Sequence, residues 1–397
     1  MDSSSVKQTT QAYVAHTYDR FDLALKSGSG VILEDFEGGT YIDFTCGIGV
    51  NALGYAHPDW TRAVAEQAAA LSHVSNLYYT APMASLAQKL CEKSGMKKVF
   101  FCNDGGSANE GAVKTARKYS YDKYGQGRSH ILVLENSFHG RTVLTLEATG
   151  QQAMHKSCFA PYTGGFDYVT ANDINDLNRK LTDSTCAVMF ELVQGEGGVV
   201  PLEKAFVEAI ADICREKDIL MVIDEVQTGI GRTGSLFCYQ QFDLVPDIVT
   251  SAKAIGGGLP LGAVLFGEKT EYTLGPGDHA TTFGANPIAC AGGNVVMDHM
   301  TEAFFADVRA KSAHIVRRVS AMPHVKAVHG MGLMLGVTFE DDVSAADILK
   351  ACMQKGALFL LAKTRLRMLP PLVIGMGEID AGLDILENVL SDWGRSE

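Results

Sequence analysis

Short apolar runs rich in β-branched and aromatic residues alternate along the chain with longer segments whose apolar residues recur at helical spacing. The runs have the length and composition of buried strands. Because helical segments separate these strands, we predict crossover connections and a mainly parallel sheet with helices on both faces, which is an α/β fold. The strands predicted for this sheet cover residues 98–102, 130–134, 187–193, 219–223 and 262–266.

Toward both ends of the chain the pattern changes. Residues 30–44 have the alternation of a hairpin with a glycine-containing turn, and the segment after residue 290 mixes helical patterns with short strands. We therefore predict a large domain over residues 60–290 and a smaller α+β domain formed by residues 1–59 together with 291–397. A chain of 397 residues, 46% of them hydrophobic, can bury a core in each.

The charge balance excludes several kinds of partner. There are 34 basic and 46 acidic residues, for a formal net charge of −12, and the basic residues form no cluster. This composition predicts no nucleic-acid binding.

No apolar stretch is long enough for a membrane span, and the first residues lack the layout of a signal or transit peptide. We therefore expect no membrane association and a cytoplasmic protein.

Cysteine usage gives no sign of a disulfide framework or a metal site. The nine cysteines are scattered singly, without a C-x-x-C pair and without histidines at metal-ligand spacing. We expect reduced, mostly buried thiols and no bound metal.

The strongest chemical signal is an acid and a lysine that follow two of the apolar runs. Asp224 ends the run at 219–223 and opens the sequence Asp-Glu-Val-Gln, and Lys253 lies just before three glycines. A lysine amine can bond to a pyridine aldehyde while a carboxylate keeps the ring nitrogen protonated. These two residues predict pyridoxal 5'-phosphate chemistry. An acid at a strand end is also typical of nucleotide hydrolases, but the chain lacks their G-x-x-x-x-G-K-[ST] loop.

Two glycines between a strand and a helix offer a place for the phosphate. Gly105 and Gly106 follow the run at 98–102 and precede a segment with helical apolar spacing. Free backbone N–H groups at a helix start attract anions. The simpler alternative is a tight turn with Asp104 as the helix cap.

Other motif residues have the chemistry of ring and substrate contacts. Phe138 offers an aromatic face and Arg141 a planar guanidinium suited to a carboxylate, although in isolation a loop Phe usually packs and an Arg is usually solvated. Val226 can pack on the ring face opposite Phe138, and Gln227 can hydrogen-bond the ring hydroxyl.

Several motifs in register resemble those of the class III pyridoxal-phosphate aminotransferases of fold type I, in particular their acetylornithine-type members. The resemblance covers nearly the whole chain, from residues 46–58 through Ser-Asn-Leu-Tyr-Tyr at 75–79 to 367–372. It implies that Lys253 carries the cofactor and moves the proton of the substrate carbon. It also implies a homodimer with shared active sites, in which Thr282 reaches the phosphate of the neighbouring subunit.

The resemblance further implies roles for the substrate contacts. Arg141 would hold the substrate carboxylate and Thr281 would adjoin it, while Glu196 would pair with Arg367 and release it for 2-oxoglutarate. Where this family usually has a serine, the chain has Asp104, an acid that would weaken phosphate binding unless it caps the helix and points away.

The implied activity is transfer of the terminal amino group of N-acetylornithine to 2-oxoglutarate, giving N-acetylglutamate semialdehyde and glutamate, a step of arginine biosynthesis. Ornithine, succinylornithine, 4-aminobutyrate and N-succinyl-diaminopimelate remain alternative donors, because loop shape decides such selectivity. An aminomutase of the same fold and a non-catalytic binding protein also remain open. Independence from 2-oxoglutarate would favour the former, and the absence of a yellow chromophore the latter.

Overall fold

A computed structural model describes residues 1–394, and it contains the predicted α/β architecture. Its central sheet has seven strands, in the spatial order β4-β12-β11-β10-β7-β5-β6. The strands are β4 (Lys98–Cys102), β5 (His130–Leu134), β6 (Phe166–Val169), β7 (Thr185–Phe190), β10 (Leu220–Asp224), β11 (Ile248–Ser251) and β12 (Gly262–Phe266).

The sheet is mostly parallel, as predicted. The strands β11, β10, β7, β5 and β6 pair in parallel, whereas β12 is antiparallel to both of its neighbours, so β4 again runs in the direction of β11. Alternate side chains along each strand face opposite sides of the sheet. Consequently Ile131 and Val133 enter one hydrophobic core, and Leu132 and Leu134 enter the other.

Three smaller sheets contain the remaining strands. The hairpin predicted at 30–44 is present as β2 and β3, and the short C-terminal strand β15 joins it edge to edge. A second sheet has the order β13-β14-β17-β16, and β8 pairs with β9. Their bounds are β1 Leu25–Ser29, β2 Ile32–Asp35, β3 Thr40–Asp43, β8 Val193–Gln194, β9 Val200–Pro201, β13 Val325–Met331, β14 Met334–Phe339, β15 Ala357–Leu358, β16 Leu360–Ala362 and β17 Arg365–Met368.

Helices cover the sheets. The helices are α1 (Ser3–Tyr13), α2 (Cys46–Gly49), α3 (Pro58–Ala70), α4 (Ala81–Ser94), α5 (Gly105–Tyr124), α6 (Val143–Ala148), α7 (Ile174–Lys180), α8 (Lys204–Lys217), α9 (Pro287–His299), α10 (Glu302–Ser320), α11 (Ala345–Gln354) and α12 (Met376–Asp392). Among residues 1–394, no helix combines the length and apolar composition needed to cross a membrane.

One predicted strand was wrong in extent. The run at 187–193 does not form a single strand, because β7 ends at Phe190 and Val193 belongs to β8. The break falls at Glu191, whose carboxylate accepts hydrogen bonds from two loop N–H groups. The domain division near residues 60 and 290 stays a prediction, and residues 395–397, which it assigned to the small domain, lie outside the described residues.

The topology brings the predicted motifs to one edge of the central sheet. Asp224 and Thr250 are register partners on the parallel strands β10 and β11. Lys253 follows β11 by two residues, so its turn, Lys253–Gly256, lies beside the carboxyl end of β10. Carboxyl ends of parallel strands are where open α/β sheets bind their ligands.

Candidate active site

A cavity of about 700 Å³ opens at this edge of the sheet. Its lining includes most of the residues predicted to bind a cofactor or substrate, namely Gly105, Gly106, Phe138, Arg141, Asp224, Val226, Gln227 and Lys253. A larger cavity of about 1090 Å³ lies beside α1 and contains none of the predicted site residues. The convergence of separate motifs, rather than volume, identifies the first cavity as the candidate site.

The start of α5 is arranged to bind an anion. Asp104 caps this helix, since its carboxylate accepts the N–H of Ser107 at 2.8 Å. The N–H groups of Gly105 and Gly106, in the first turn, have no acceptor within the helix. A Cβ at Gly105 would come within 2.7 Å of Val226 Cγ1, so glycine permits the close approach of the two loops. The acid thus caps the helix, as the alternative proposed, and the N–H groups of the two glycines have no acceptor among residues 1–394.

Asp224 is buried at the end of β10 and is held from three directions. Its Oδ2 accepts Asn109 Nδ2 at 2.8 Å and lies 2.7 Å from His139 Nδ1, while Oδ1 accepts the N–H of Val226 at 3.0 Å. Burial by itself lowers the pKa of His139, but the hydrogen bond and charge of Asp224 outweigh it and raise that pKa. The network therefore fixes the carboxylate in place.

Glu191 ties two loops of the site together. Its carboxylate accepts the N–H of Phe138 at 2.9 Å and the N–H of Gly195 at 3.2 Å. Burial is the main reason that the pKa of Glu191 rises to about 7. The loop that carries the aromatic ring and the loop that carries Glu196 are thus fixed to one side chain.

Lys253 is strained and easily deprotonated. Its backbone φ of 49° lies in the left-handed region, which is uncommon outside glycine and typical of functional positions. Burial is the main reason that its pKa falls to about 8. The carboxylates of Glu196, Asp224 and Glu191 oppose this shift. The guanidinium of Arg367 adds to it. A neutral amine at this position can act as nucleophile or base.

Glu196 and Arg367 form the predicted ion pair. Arg367 Nη1 donates to Glu196 Oε1 at 2.5 Å, and Gln227 contacts both partners at 3.3 and 3.4 Å. Burial alone would raise the pKa of Glu196, but the charge and hydrogen bond of Arg367 lower it. Glu196 keeps 28% side-chain exposure and Arg367 4%, so the acid is the more accessible member.

Of the remaining predicted residues, Arg141 lines the cavity, whereas Thr281 and Thr282 do not. Arg141 is exposed and its guanidinium carbon lies 5.3 Å from the centre of the Phe138 ring, at the mouth of the cavity. Thr281 accepts a hydrogen bond from Asn103, a cavity residue, at 3.1 Å. Thr282 is exposed and does not line the cavity of its own chain.

Three buried polar residues of the site were not among those predicted: Asn109, His139 and Glu191. His139 directly follows Phe138 in its motif. Glu191 interrupts an apolar run, and a polar residue buried in such a run usually has a hydrogen-bond partner. Asn109 carried a weaker signal, a polar side chain on the apolar face of α5. Each could have been found by asking which polar residues the pattern buries.

The chain matches known proteins over nearly its whole length. A family model described as aminotransferase class-III matches residues 13–390. The acetylornithine aminotransferase of Haemophilus ducreyi is 51% identical over 393 residues, which are 99% of this chain and 100% of that protein.

Solved structures show the same similarity. The N-acetylornithine aminotransferase of Stenotrophomonas maltophilia superposes with a TM-score of 0.84 at 33% identity, covering 98% of this chain and 100% of that one. The ornithine aminotransferase of Toxoplasma gondii superposes with a TM-score of 0.93 at 26% identity, covering 100% and 97%. The predicted α/β fold is thereby confirmed.

Proposed function

Since the chain belongs to the class-III aminotransferases, we propose that it transfers the terminal amino group of N-acetylornithine to 2-oxoglutarate. The products are N-acetylglutamate semialdehyde and glutamate, and the reaction is a step of arginine biosynthesis. The observation that carries this proposal is the 51% identity, over 99% of the chain, to an acetylornithine aminotransferase.

The proposed cofactor is pyridoxal 5'-phosphate, and the residues at the sheet edge fit it. The free N–H groups of Gly105 and Gly106 would hold the phosphate, and Phe138 and Val226 would enclose the ring. Asn109, which lines the cavity, has a buried Oδ1 without a hydrogen-bond partner among residues 1–394, so the cavity still has hydrogen-bonding capacity. When bound, the pyridine ring supplies an electron sink for the substrate carbon.

Asp224 is the residue that supports this electron sink. Held by Asn109 and His139, its carboxylate faces the cavity with a fixed orientation and needs no reorganisation during the reaction. We propose that Asp224 pairs with the ring nitrogen and that Gln227 hydrogen-bonds the ring hydroxyl.

Lys253 is the proposed base. Its Nζ takes the proton from the substrate carbon that bears the amino group, and the depressed pKa of about 8 makes the neutral form accessible near physiological pH.

The Glu196–Arg367 pair lets one pocket take two different substrates. While Glu196 holds Arg367, the pocket presents no second free cation to the donor, whose single carboxylate is the one assigned to Arg141. When Glu196 turns toward solvent, where it is already partly exposed, Arg367 is released for the second carboxylate of 2-oxoglutarate. Arg141 then binds the carboxylate that both substrates share, and Thr281 adjoins the substrate position.

Arg141→Ala should raise KM for both substrates by about tenfold to a hundredfold, with a smaller change in kcat. Its guanidinium is proposed to hold a carboxylate in the ground state and in the transition state alike, so its loss weakens binding throughout. Steady-state kinetics with each substrate varied in turn measure this. Arg215→Ala, at an exposed position on α8, is the control. Unchanged KM values for Arg141→Ala would remove this residue from the site.

The donor panel tests the function itself. Single-turnover loss of the cofactor absorbance should be fastest with N-acetylornithine, compared with N-succinylornithine, ornithine, 4-aminobutyrate and N-succinyl-diaminopimelate. Ornithine is the second candidate, because the ornithine aminotransferase of T. gondii superposes over the entire chain. A higher kcat/KM for ornithine would favour that activity, and turnover without 2-oxoglutarate would favour an aminomutase.

We also propose a cytoplasmic homodimer with shared active sites. Thr282 is exposed and lies outside the cavity of its own chain, as expected of a residue that contacts the phosphate in the neighbouring subunit. Apolar surface for such an interface is provided by the exposed side chains of Leu77, Tyr78, Tyr79 and Phe283.

A further inference from the structure

A cluster of two histidines and one aspartate lies outside the proposed active site. His57 immediately precedes α3, Asp59 is in the first turn of that helix, and His299 is the last residue of α9. One ligand atom from each residue lies within 4.8 Å of the others. The histidines are far apart in sequence, so their spacing along the chain gave no sign of a site.

The two imidazoles have nitrogens available for a ligand. His299 Nδ1 lies 2.9 Å from the carbonyl oxygen of Val295, so its N–H donates there and Nε2 keeps its lone pair. A hydrogen bond from the second ring nitrogen to a carbonyl is the usual support of a metal-binding histidine. His57 does not cap α3 with its side chain, and its Nδ1 is buried without a partner among residues 1–394.

The surrounding charges suit a cation. His299 lies at the carboxyl end of α9, where the helix dipole is negative. The amino end of α3 carries the positive end of its dipole, and the negative charge of Asp59 offsets it.

We propose that His57, Asp59 and His299 bind a divalent transition-metal ion such as Zn²⁺, with water completing the coordination. Two imidazoles and one carboxylate favour zinc, cobalt or nickel over magnesium and calcium, which prefer all-oxygen sites. None of these three residues belongs to the proposed active site.

A bound ion would join the start of α3 to the end of α9. Trp60, in the first turn of α3, donates its indole N–H to the Gly256 carbonyl at 3.1 Å, within the turn that begins at Lys253. The ion would therefore stabilise a helix that supports the lysine turn. We expect it to raise the thermal unfolding temperature, because a ligand that binds only the folded chain shifts the folding equilibrium.

A neighbouring arginine supplies a control of opposite sign. Arg62 donates to Asp59 Oδ1 at 2.7 Å with 64% of its side chain exposed, and it occupies part of the carboxylate that the ion needs. Removing it should strengthen metal binding. Metal bound elsewhere on the surface would not respond in this way.

Calorimetric titration of the holoenzyme with ZnCl₂ tests the proposal. A Cys158→Ser background removes the exposed thiol from every sample. We expect about one ion per chain, Kd weakened at least about tenfold by His57→Gln or His299→Gln, and Kd tightened about twofold to fivefold by Arg62→Gln. His16→Gln, at an exposed position, should leave Kd unchanged.

Each result decides for or against the site. Equal zinc affinity in the parent, His57→Gln and His299→Gln proteins would show adventitious binding and overturn the proposal, as would the absence of zinc binding to the parent. If a histidine variant fails to fold, Asp59→Asn at its exposed position must weaken binding instead. Transamination by the parent without added zinc is the separate readout for the proposed function.

Discussion

Lys253→Ala should lower kcat for transamination by at least about 10⁴-fold, the upper range for loss of a general base. The variant loses the amine proposed to bond the cofactor, which is also the proposed proton carrier, and we assign no other side chain to either role. Steady-state kinetics at saturating pyridoxal phosphate measure the loss. Lys204→Ala, which removes an exposed lysine of α8, should be indistinguishable from the parent.

A covalent label gives an independent reading of the same residue. Borohydride reduction of the parent should fix the cofactor mass on the peptide that contains Lys253, and no lysine should be labelled in Lys253→Ala. Labelling of a different peptide would reject the assignment.

The depressed pKa of Lys253 adds a pH dependence to cofactor uptake. Because its pKa of about 8 is below the ordinary value of 10.5, the reactive neutral amine becomes more abundant as pH rises toward 8. Cofactor uptake by the cofactor-free chain should accelerate over this interval and level off above it, as followed by absorbance. A rate that continued to rise steeply to pH 10 would indicate an ordinary lysine.

Asp224→Ala should reduce kcat by at least about 10³-fold even when the cofactor is saturating. The carboxylate is buried and pre-oriented by Asn109 and His139, so under the proposed role its charge would act on the ring nitrogen without reorganisation. Asp224→Asn retains the size of the side chain and removes its charge. A similar loss in both variants would assign the effect to electrostatics, and a near-normal kcat in either would contradict the proposed electron-sink role.

The same variants should change the titration of His139. In the parent, the hydrogen bond and charge of Asp224 outweigh burial and raise the pKa of this imidazole. Without the Asp224 carboxylate, only the charge of Glu191 opposes the effect of burial, so the pKa of His139 should fall. NMR titration of His139 measures this, and an unchanged pKa would mean that the two side chains are not coupled in solution.

Much of the central sheet could be predicted because buried parallel strands are apolar on both faces and therefore appear as continuous runs. Strands β4, β5 and β12 have the predicted bounds. The run at 187–193 was wrong in extent because an apolar pattern does not show where strand pairing stops. That boundary depends on Glu191, whose hydrogen-bond partners are in other loops.

The sequence by itself determined the α/β class, and it predicted Asp224 and Lys253 as the two central groups, since each follows an apolar run whose end the pattern marks. Only the tertiary structure decided which side chains support them. Asp224 binds residues 115 and 85 positions away, and Glu196 pairs with a residue 171 positions away. Such contacts depend on where loops meet after the strands have paired, and local periodicity carries no information about that. The same holds for the pKa of Lys253, which burial and charges from several distant segments set together.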